Sequence, residues 1–527
     1  MTKTSFLRGA MILTLAGIVV KILGGVNRIL LSRLLGGEGI GLYQMAYPIY
    51  ILFLSIAGAG IPIAVSIMVA EQAAKGNYSG ARRVFHVTLV SMTAMAIACG
   101  VAMAFGADWI VHMGWVRDQR ALWPLLVLAP ALSISIVTCC FRGYFQGLQL
   151  MTPTAVSQMV DQFVRVCTML LLAYICLPYG LEMAATGAAF GAVPGAVAGL
   201  LVISWLYHRQ RRQDGQVDAA IFPVRPAGTI LRRLLVLAIP VAAANMLLPA
   251  VASIDLIIVP QRLEAAGYAV KEATTLFGYL SGMANGLVQL PAILTMALAT
   301  GLVPAVSAAY AADRFDVVLS RTHTAMRIAS IITLPAGMGL AVLAVPISQM
   351  LYATPLAGPA IRVLAFSIFL VGLQQVSSAL LQGMGHTAIP LLNMVLAAIL
   401  KIGLSWHLTA IPWLGEVGAA WATNADLAAA TVLNLFFAYR YARYVLDFKY
   451  IVRLFLASVV TAAAARLLYA ATAGVWGNTL ATCTAILVAL IVYIVAIFLF
   501  RAMALEDIRQ LPVLGPKLYG LLIRKIH

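Results

Sequence analysis

Long apolar stretches alternate with short connections along almost the whole chain. A membrane-spanning helix needs about 20 mostly apolar residues, and fourteen stretches reach that length. They are too long, and alternate too little, for the strands of a β-barrel. The pattern therefore predicts an all-α polytopic membrane protein with fourteen transmembrane helices. Numbered as spans 1 to 14, they are 10–35, 43–70, 84–111, 121–146, 154–177, 183–207, 234–260, 276–310, 320–350, 360–383, 389–411, 415–439, 451–472 and 478–501.

Composition supports this interpretation and excludes several others. Of the 527 residues, 62% are hydrophobic and only 10% are charged, whereas about a quarter of an ordinary globular chain is charged. This balance excludes a disordered chain, a disulfide scaffold and a soluble enzyme. The formal net charge is nevertheless +17, which could indicate nucleic-acid binding. The location of the basic residues decides that question.

The basic residues are distributed unevenly between the two sides of the predicted bundle. With the N-terminus inside, 22 of the 35 Lys and Arg residues fall on the cytoplasmic side and 6 on the outer side. Cytoplasmic loops are enriched in basic residues, so both termini are predicted to be cytoplasmic. Contact with anionic lipid headgroups explains the remaining surface charge. Membrane lipids are therefore expected partners, and nucleic acid is not.

The chain contains an internal repeat. Residues 145–165 align without a gap with residues 381–401, at an offset of 236, and 187–190 (GAAF) matches 418–421 (GAAW). Each half holds six spans, an even number, so the halves form a parallel repeat, which usually encloses a substrate site near the midplane. Five regions follow: an N-lobe (1–207), a basic linker (208–233), a C-lobe (234–443), a two-span appendix (444–503) and a basic cytoplasmic tail (504–527).

Seven cations lie at membrane depth, where a charge is costly and marks a function by default. Arg466 lies in the two-span appendix and is interpreted as structural, which leaves six candidates. In span 1, Lys21 and Arg28 share a helical stripe with two glycines. In span 5, Arg165 can either line a cavity or pair with Asp161 four residues earlier. Lys401 occupies the equivalent position in span 11. Two candidates remain, Arg142 and Arg327. Each lies near a span end, where its side chain can either bind substrate or extend to the membrane interface.

Acidic and polar residues of the spans suggest possible coupling to Na⁺ or H⁺. Asp255 follows Pro249 in a proline-containing span, where a carboxylate can bind a cation, accept a proton or pair with Lys401. Asp426, with Thr423 beside it, is a second candidate. Cations outnumber acids in the spans, and a net cationic cavity suits an anionic ligand such as a pyrophosphate, which arginine can bind bidentately.

Motifs of soluble catalysis are absent from the sequence. No P-loop, H-E-x-x-H or G-x-S-x-G occurs. The six cysteines form no CxxC pair and no cluster with histidine, so no metal site or cofactor is predicted. We expect a transporter rather than an enzyme.

Four segments resemble a known family: 32–50 (SRLLGGEGIGLYQMAYPIY), 58–71 (GAGIPIAVSIMVAE), 142–166 (RGYFQGLQLMTPTAVSQMVDQFVRV) and 286–311 (GLVQLPAILTMALATGLVPAVSAAYA). They are similar to the stage V sporulation protein B-like polysaccharide exporters. These belong to the multidrug/oligosaccharidyl-lipid/polysaccharide (MOP) superfamily, together with MurJ-type lipid II flippases. The resemblance covers nearly the whole chain, including the last two spans.

The resemblance implies two six-helix lobes around a central cavity that opens to alternate sides of the bacterial cytoplasmic membrane. It implies lipid II, or another undecaprenyl-pyrophosphate-linked saccharide, as substrate, with Arg28 and Lys21 in the cavity. Some members bind sodium through positions that correspond to Asp255, Asn393 and Thr423. Ala397 stands where a second acid is expected. Spans 13 and 14 would frame a groove for the prenyl tail.

The sequence thus favours a monomeric flippase for lipid II in peptidoglycan synthesis. A flippase for another lipid-linked polysaccharide, of a capsule or spore cortex, is an alternative. A cation-coupled multidrug antiporter of the same fold is another, although it usually has an acidic cavity. A non-transporting scaffold for cell-wall assembly is the third.

Overall fold

The computed structural model describes residues 3–213, 226–500 and 502. Within these residues the regular structure is helical and includes no β-strand, which confirms the predicted all-α class. A π-helix at Gly278–Ala284 separates α9 from α10. The α-helices of the described residues are α1 (Lys3–Gly58), α2 (Ile61–Ala74), α3 (Tyr78–His112), α4 (Leu122–Gly147), α5 (Met151–Cys176), α6 (Leu181–Phe190), α7 (Ala192–Gln213), α8 (Ala227–Ala265), α9 (Val270–Phe277), α10 (Asn285–Ala311), α11 (Phe315–Val342), α12 (Ala344–Tyr352), α13 (Gly358–Gly383), α14 (Ala388–Leu408), α15 (Glu416–Ala442) and α16 (Phe448–Leu499).

Ten stretches of the described chain are long and apolar enough to cross a membrane. Two of them, Leu15–Ala74 and Phe448–Leu499, each hold two predicted spans. Helices α8 and α15 account for predicted spans 7 and 12 and are 39 and 27 residues long. The protein is therefore a multi-pass membrane protein. Its described helices are compatible with fourteen crossings, and the number itself stays a prediction.

A glycine breaks each of the two longest helices. The backbone φ angle is 65° at Gly36 in α1 and 73° at Gly477 in α16, in the left-handed region that glycine adopts without strain. Each glycine therefore separates two predicted spans without an intervening loop. The sequence predicted short connections at 36–42 and 473–477. The structure has helix on both sides of a single reversed residue instead.

Three predicted spans are divided into two helices. Span 2 is divided between α1 and α2, span 6 between α6 and α7, and span 9 between α11 and α12. In each case a proline lies in the first turn of the second helix: Pro62, Pro194 and Pro346. Proline fits a first helical turn because the amide group it lacks has no intrahelical partner there. These prolines therefore begin new helices rather than bend continuous ones.

Contacts between residues divide the chain into two compact units, Met1–Gly282 and Met283–His527. The first unit includes α8 and α9, and hence predicted span 7. The repeat instead assigned span 7 to the C-lobe, so the two divisions differ by one span, and the lobes defined by the repeat stay a prediction. Residues 214–225 of the predicted linker and the whole 504–527 tail lie outside the described residues.

The internal repeat is visible in the backbone of the two units. The turns that follow α4 and α13 lie 236 residues apart. Gln149 has a φ angle of 60° in the first turn, and Gly385 has one of 87° in the second. In both turns the next amide donates a 2.9 Å hydrogen bond to the carbonyl five residues earlier. The same local geometry therefore ends the same helix of each half.

Helix crossings repeat as well. A Cβ atom at Gly187 would lie 2.9 Å from the carbonyl oxygen of Leu172, and one at Gly418 would lie 2.5 Å from that of Leu408. Leu172 and Leu408 are again 236 residues apart. Small residues allow close backbone approach, and this van der Waals contact drives helix association in lipid. Equivalent glycines thus hold equivalent helix pairs.

Candidate functional site

A cluster of charged side chains lies in the first unit, where α4 and α5 meet. The Asp161 carboxylate on α5 accepts a hydrogen bond from Arg165 Nη2 at 3.0 Å and one from Arg142 Nη2 on α4 at 3.4 Å. Arg142 Nη2 also lies 3.5 Å from Ser157 Oγ. Spacing along α5 explains the first ion pair. Packing of α4 against α5 adds the second, which the sequence did not predict.

One carboxylate therefore serves two guanidinium groups in a largely buried place. The Arg142, Asp161 and Arg165 side chains are 13–17% exposed. Among the described residues, the buried Nε atoms of both arginines have no hydrogen-bond partner. An unsatisfied buried donor costs about 1–3 kcal/mol. Both arginines can therefore take a further acceptor, and the three groups carry a net positive charge.

Glycines on α7 make room for this cluster. A Cβ atom at Gly195 would lie 2.8 Å from the carbonyl oxygen of Asp161, and one at Gly199 would lie 2.9 Å from Asp161 Cβ. Ser157 Oγ donates a 3.0 Å hydrogen bond to the Gly199 carbonyl. Because α7 has no side chain at these positions, α5 approaches it closely and Asp161 is held against its backbone.

Three tyrosines of α1 extend the cluster. The ring centroids of Tyr43 and Tyr47 are 5.3 Å apart, and those of Tyr47 and Tyr50 are 5.8 Å apart. Arg28 and Arg165 interact electrostatically with the hydroxyl groups of Tyr43 and Tyr47. Arg28, Arg142, Arg165 and Asp161 thus belong to one neighbourhood, which we call the arginine cluster. It combines three cations with one carboxylate.

The basic stripe of α1 runs along the face that approaches α5. A Cβ atom at Gly24 would lie 3.5 Å from Gln162 Nε2 on α5. Arg28 is half-buried, whereas Lys21, about two turns earlier, is exposed. The structure therefore associates Arg28 with the arginine cluster and places Lys21 farther along the helix. A cavity role for either residue stays a prediction.

In the second unit, the polar positions of α14 that the repeat aligns with Ser157 and Arg165 of α5 are buried. Asn393, Lys401 and Ser405 are 2%, 6% and 1% exposed. Asn393 Nδ2 donates a 2.8 Å hydrogen bond to Asn434 Oδ1 on α15, and Asn434 Nδ2 donates one of 2.8 Å to Ser378 Oγ on α13. Sequence reasoning did not single out Asn434, although a lone asparagine in an apolar span could have indicated it.

Arg327 lies elsewhere in the second unit. Its Nη2 atom lies 3.3 Å from Asp447 Oδ2, and its guanidinium carbon lies 5.0 Å from the centroid of the Tyr450 ring. Asp447 also caps α16, because its Oδ1 atom accepts a hydrogen bond from the Tyr450 amide. These contacts give Arg327 a part in docking α16 against α11. The predicted role in substrate binding remains open.

The candidates for ion coupling are divided between the units. Asp255 lies on α8 of the first unit, whereas Asn393, Thr423 and Asp426 lie in the second. Thr423 Oγ1 donates to the Ala419 carbonyl of its own helix at 3.1 Å. No group of three or more His, Cys, Asp or Glu residues that could hold a metal ion occurs within residues 3–213 and 226–500. Ion coupling at these positions is therefore still a prediction.

A second ionic network, not singled out by the sequence, lies at the predicted outer end of the first unit. Arg120 forms ion pairs with Glu38 at 2.6 Å and with Asp118 at 2.7 Å. Thr274 Oγ1 on α9 donates to Asp118 Oδ2 at 2.9 Å, and Lys271 Nζ lies 3.4 Å from Glu38. The network thus joins the segment before α4 to both α1 and α9.

Asp118 is the titrating centre of this outer network. Burial acts to raise the pKa of its carboxyl, but hydrogen bonds from Arg120 and Thr274 and the charge of Arg120 lower it more. The net result is a pKa below the ordinary value of 3.8. Asp118 is therefore ionised at neutral pH and stabilises the folded state there.

Comparison with known sequences gives the family. The profile of the polysaccharide biosynthesis protein family matches residues 6–310, and that of the MatE family matches residues 281–407. The chain is 30% identical over 527 residues to stage V sporulation protein B of Bacillus subtilis (strain 168), covering 98% of this chain and 99% of that one. It is 26% identical over 461 residues to the lipid II flippase MurJ of the same organism, covering 84% of each.

Solved structures share the fold. A structure of the lipid II flippase MurJ in an inward closed conformation has a TM-score of 0.71 at 14% identity and covers 93% of this chain and 99% of its own. An inward-facing multidrug resistance MATE family transporter of the MOP superfamily has a TM-score of 0.66 at 18% identity. The match covers 80% of this chain and 94% of the transporter.

The family-model matches and the relatives, on this repeated helical fold, make the chain a membrane transport protein of the MOP superfamily. Within that superfamily, the chain belongs to the polysaccharide biosynthesis protein family.

Proposed function

We propose that the protein is a flippase that moves an undecaprenyl-pyrophosphate-linked saccharide, most simply lipid II, across the bacterial cytoplasmic membrane. The arginine cluster carries this proposal. Two of its three guanidinium groups, those of Arg142 and Arg165, share one carboxylate, and both have Nε donors without acceptors among the described residues. A pyrophosphate supplies negative charge and several acceptor oxygens, which arginine can bind bidentately.

The cost of a charge in a membrane supports an anionic ligand. Cations at membrane depth usually face the bundle interior or a water-filled cavity and mark a pathway. Arg28, Arg142 and Arg165 in the first unit and the buried Lys401 in the second are such cations. A lipid pyrophosphate would neutralise the arginine cluster of the first unit while its prenyl tail stays in the bilayer. The protein then needs only to change the side on which the cations are accessible, and no catalytic step is required.

Relatives support the same substrate class. One relative that is similar over nearly the whole chain is a sporulation protein, and another is a lipid II flippase. We extend to this chain a role in cell-wall saccharide export, with both termini in the cytoplasm and the protein working as a monomer. A capsule or spore-cortex saccharide is the alternative within the same chemistry.

Complementation tests the proposal. The chain should restore growth to a bacterial strain depleted of its lipid II flippase, and translocation of lipid II should be measurable in those cells. A fully expressed Arg28→Ala, Lys401→Ala double variant should lose both. Normal translocation by that variant would contradict the assigned role of the cations, and failure of the wild-type chain to complement would contradict lipid II as substrate.

A multidrug antiporter is the second candidate, because the MatE profile matches residues 281–407. Coupling to Na⁺ or H⁺ is compatible with this function as well as with a flippase. The candidate residues are Asp255, Asn393, Thr423 and Asp426. Antiport predicts drug resistance on expression without rescue of flippase-depleted cells. Asp255→Asn should then abolish resistance, whereas Asp108→Asn, at an exposed site on α3, should not.

A further inference from the structure

We infer that Tyr207, Arg82 and Arg211 form a binding site for the phosphate of an anionic phospholipid, on the predicted cytoplasmic side of the first unit. These residues are not part of the arginine cluster, and the inference does not depend on which saccharide the protein transports. It starts from the Tyr207 side chain, which is 5% exposed. Its buried hydroxyl group has no hydrogen-bond partner among the described residues. Such a group destabilises a fold unless an acceptor from outside the chain satisfies it.

Three helices hold the Tyr207 ring in place. The ring belongs to α7, and its centroid lies 4.8 Å from that of Phe85 on α3. On α4, the ring centroids of Phe141 and Tyr144 lie 5.8 Å and 5.4 Å away. Phe85 is 1% exposed and Phe141 is 7% exposed, so the rings pack closely. Packing therefore fixes the Tyr207 ring, and no hydrogen bond within the described chain accounts for the place of its hydroxyl group.

Two cations interact electrostatically with this hydroxyl group: Arg211 on α7 and Arg82 on α3. Arg211 is exposed and Arg82 is half-buried. A guanidinium group has donors but no acceptor, so neither arginine can accept a hydrogen bond from Tyr207. A phosphate oxygen can accept one from the hydroxyl group and from both guanidinium groups, and arginine binds phosphate bidentately. Because arginine side chains are long and flexible, a phosphate held between them can reach the hydroxyl group.

The depth of the site favours a lipid over a free anion. Trp205, two residues before Tyr207, is 59% exposed, and the guanidinium carbon of Arg209 lies 5.6 Å from the centroid of its ring. Tryptophan is enriched where a membrane meets water, so this part of α7 lies at the level of the lipid headgroups. Basic pockets between helices on the cytoplasmic side bind anionic headgroups.

The face of α3 that carries Arg82 also offers a path for acyl chains. Val90, Ile97 and Val101 follow Arg82 on one side of the helix and are 71%, 59% and 49% exposed. They run from the headgroup level toward the interior of the membrane. A phospholipid can therefore place its phosphate at the two arginines and its acyl chains along this apolar face. A free phosphate would gain only the first of these contacts.

Thermal unfolding in the presence of lipid tests the site. The full-length protein in an uncharged detergent is heated with increasing concentrations of dioctanoyl phosphatidylglycerol, dioctanoyl phosphatidylcholine or glycerol phosphate. Phosphatidylglycerol should raise the melting temperature of the wild type at concentrations where the other two have little effect. Tyr207→Phe removes only the hydroxyl group, so the phosphatidylglycerol concentration that gives half the shift should rise about tenfold, as expected for one lost hydrogen bond to a charged acceptor. Without lipid, this variant should melt no lower than the wild type, because it buries no unsatisfied donor.

Arginine and tyrosine variants elsewhere provide matched controls. Arg211→Gln should weaken the response to phosphatidylglycerol, and its exposed position keeps the test decisive if Tyr207→Phe does not fold. Arg314→Gln and Tyr179→Phe, at sites that are 66% and 78% exposed, should respond as the wild type does.

Three results would overturn the inference. The first is a response of Tyr207→Phe or Arg211→Gln that equals that of the wild type. The second is equal weakening by Arg314→Gln, which would show attraction to the basic surface as a whole. The third is equal protection by phosphatidylcholine or by glycerol phosphate, which would show that the site does not select an anionic lipid. None of these results bears on the proposed flippase activity, which complementation tests separately.

Discussion

Asp118 shows at the scale of one residue how a carboxylate can stabilise the fold at neutral pH. Its pKa lies below the ordinary value because hydrogen bonds and the Arg120 charge outweigh burial. A group of this kind stabilises the folded state above its unfolded pKa, and that stabilisation is lost as the pH falls through its folded pKa. Asp118→Asn should therefore lower the free energy of unfolding by about 1–3 kcal/mol at pH 7. The difference from the wild type should shrink below pH 4.

Thermal unfolding in detergent between pH 3 and pH 7 measures this effect. Asp108→Asn is the matched control, because Asp108 is 63% exposed and pairs only weakly with His112 in the next turn of α3. The control should leave the melting temperature nearly unchanged. A constant difference between Asp118→Asn and the wild type down to pH 3 would contradict the assigned direction of the pKa.

Ion pairs at this scale were predictable only where sequence spacing creates them. Asp161 and Arg165 are four residues apart on one helix, so spacing alone offered their contact as one of two alternatives. Arg142 forms an ion pair with Asp161 from another helix. Arg327 forms one with Asp447, which lies 120 residues later in the chain. Such partners depend on which helix faces which, and the hydrophobic pattern does not specify that. The sequence therefore identified the charges but not their pairing.

Close packing between α1 and α9 shows at the scale of elements why particular glycines are needed. A Cβ atom at Gly41 would lie 2.1 Å from the carbonyl oxygen of Thr274, and one at Gly278 would lie 2.0 Å from that of Gly37. Both obstacles are backbone atoms, which cannot move without shifting a helix. Gly41→Ala should therefore destabilise the protein by about 1–3 kcal/mol, the usual cost of overpacking.

The control for this prediction is Gly106→Ala on α3. Nothing lies within 4 Å of a Cβ atom built there, and alanine is favoured over glycine in a helix interior by about 0.5–1 kcal/mol. Melting temperatures in detergent should fall for Gly41→Ala and stay level or rise for Gly106→Ala. Equal behaviour of the two variants would show that α1 and α9 do not cross as closely as described.

Helix positions were predictable to within a few residues, but their breaks were not. Apolar length located the spans because the bilayer sets that length. The reversals at Gly36 and Gly477 and the helix starts near Pro62 and Pro346 do not alter the apolar pattern. They depend on backbone angles and on missing amide donors, for which hydropathy gives no indication.

At the scale of the whole molecule, the repeat preserves helix contacts while the chemistry differs between halves. The turns at Gln149 and Gly385 and the crossings at Gly187 and Gly418 have the same geometry. Yet Asp161 has Ala397 as its counterpart, and Ser157 has Asn393. A duplicated scaffold therefore carries two different polar sets. This asymmetry gives one half an arginine cluster around a carboxylate and the other a buried lysine and an asparagine network.

The orientation of the whole chain is the remaining prediction from charge. Because 22 basic residues fall on one side and 6 on the other, the positive-inside rule places the segment before α4 outside and the turn before α11 inside. In a variant without the six native cysteines, Trp115→Cys should react with a membrane-impermeant maleimide in intact cells. Asp316→Cys, at a site that is 76% exposed, should react only after the membrane is permeabilised. The opposite labelling pattern would invert the topology and with it the side from which the arginine cluster is loaded.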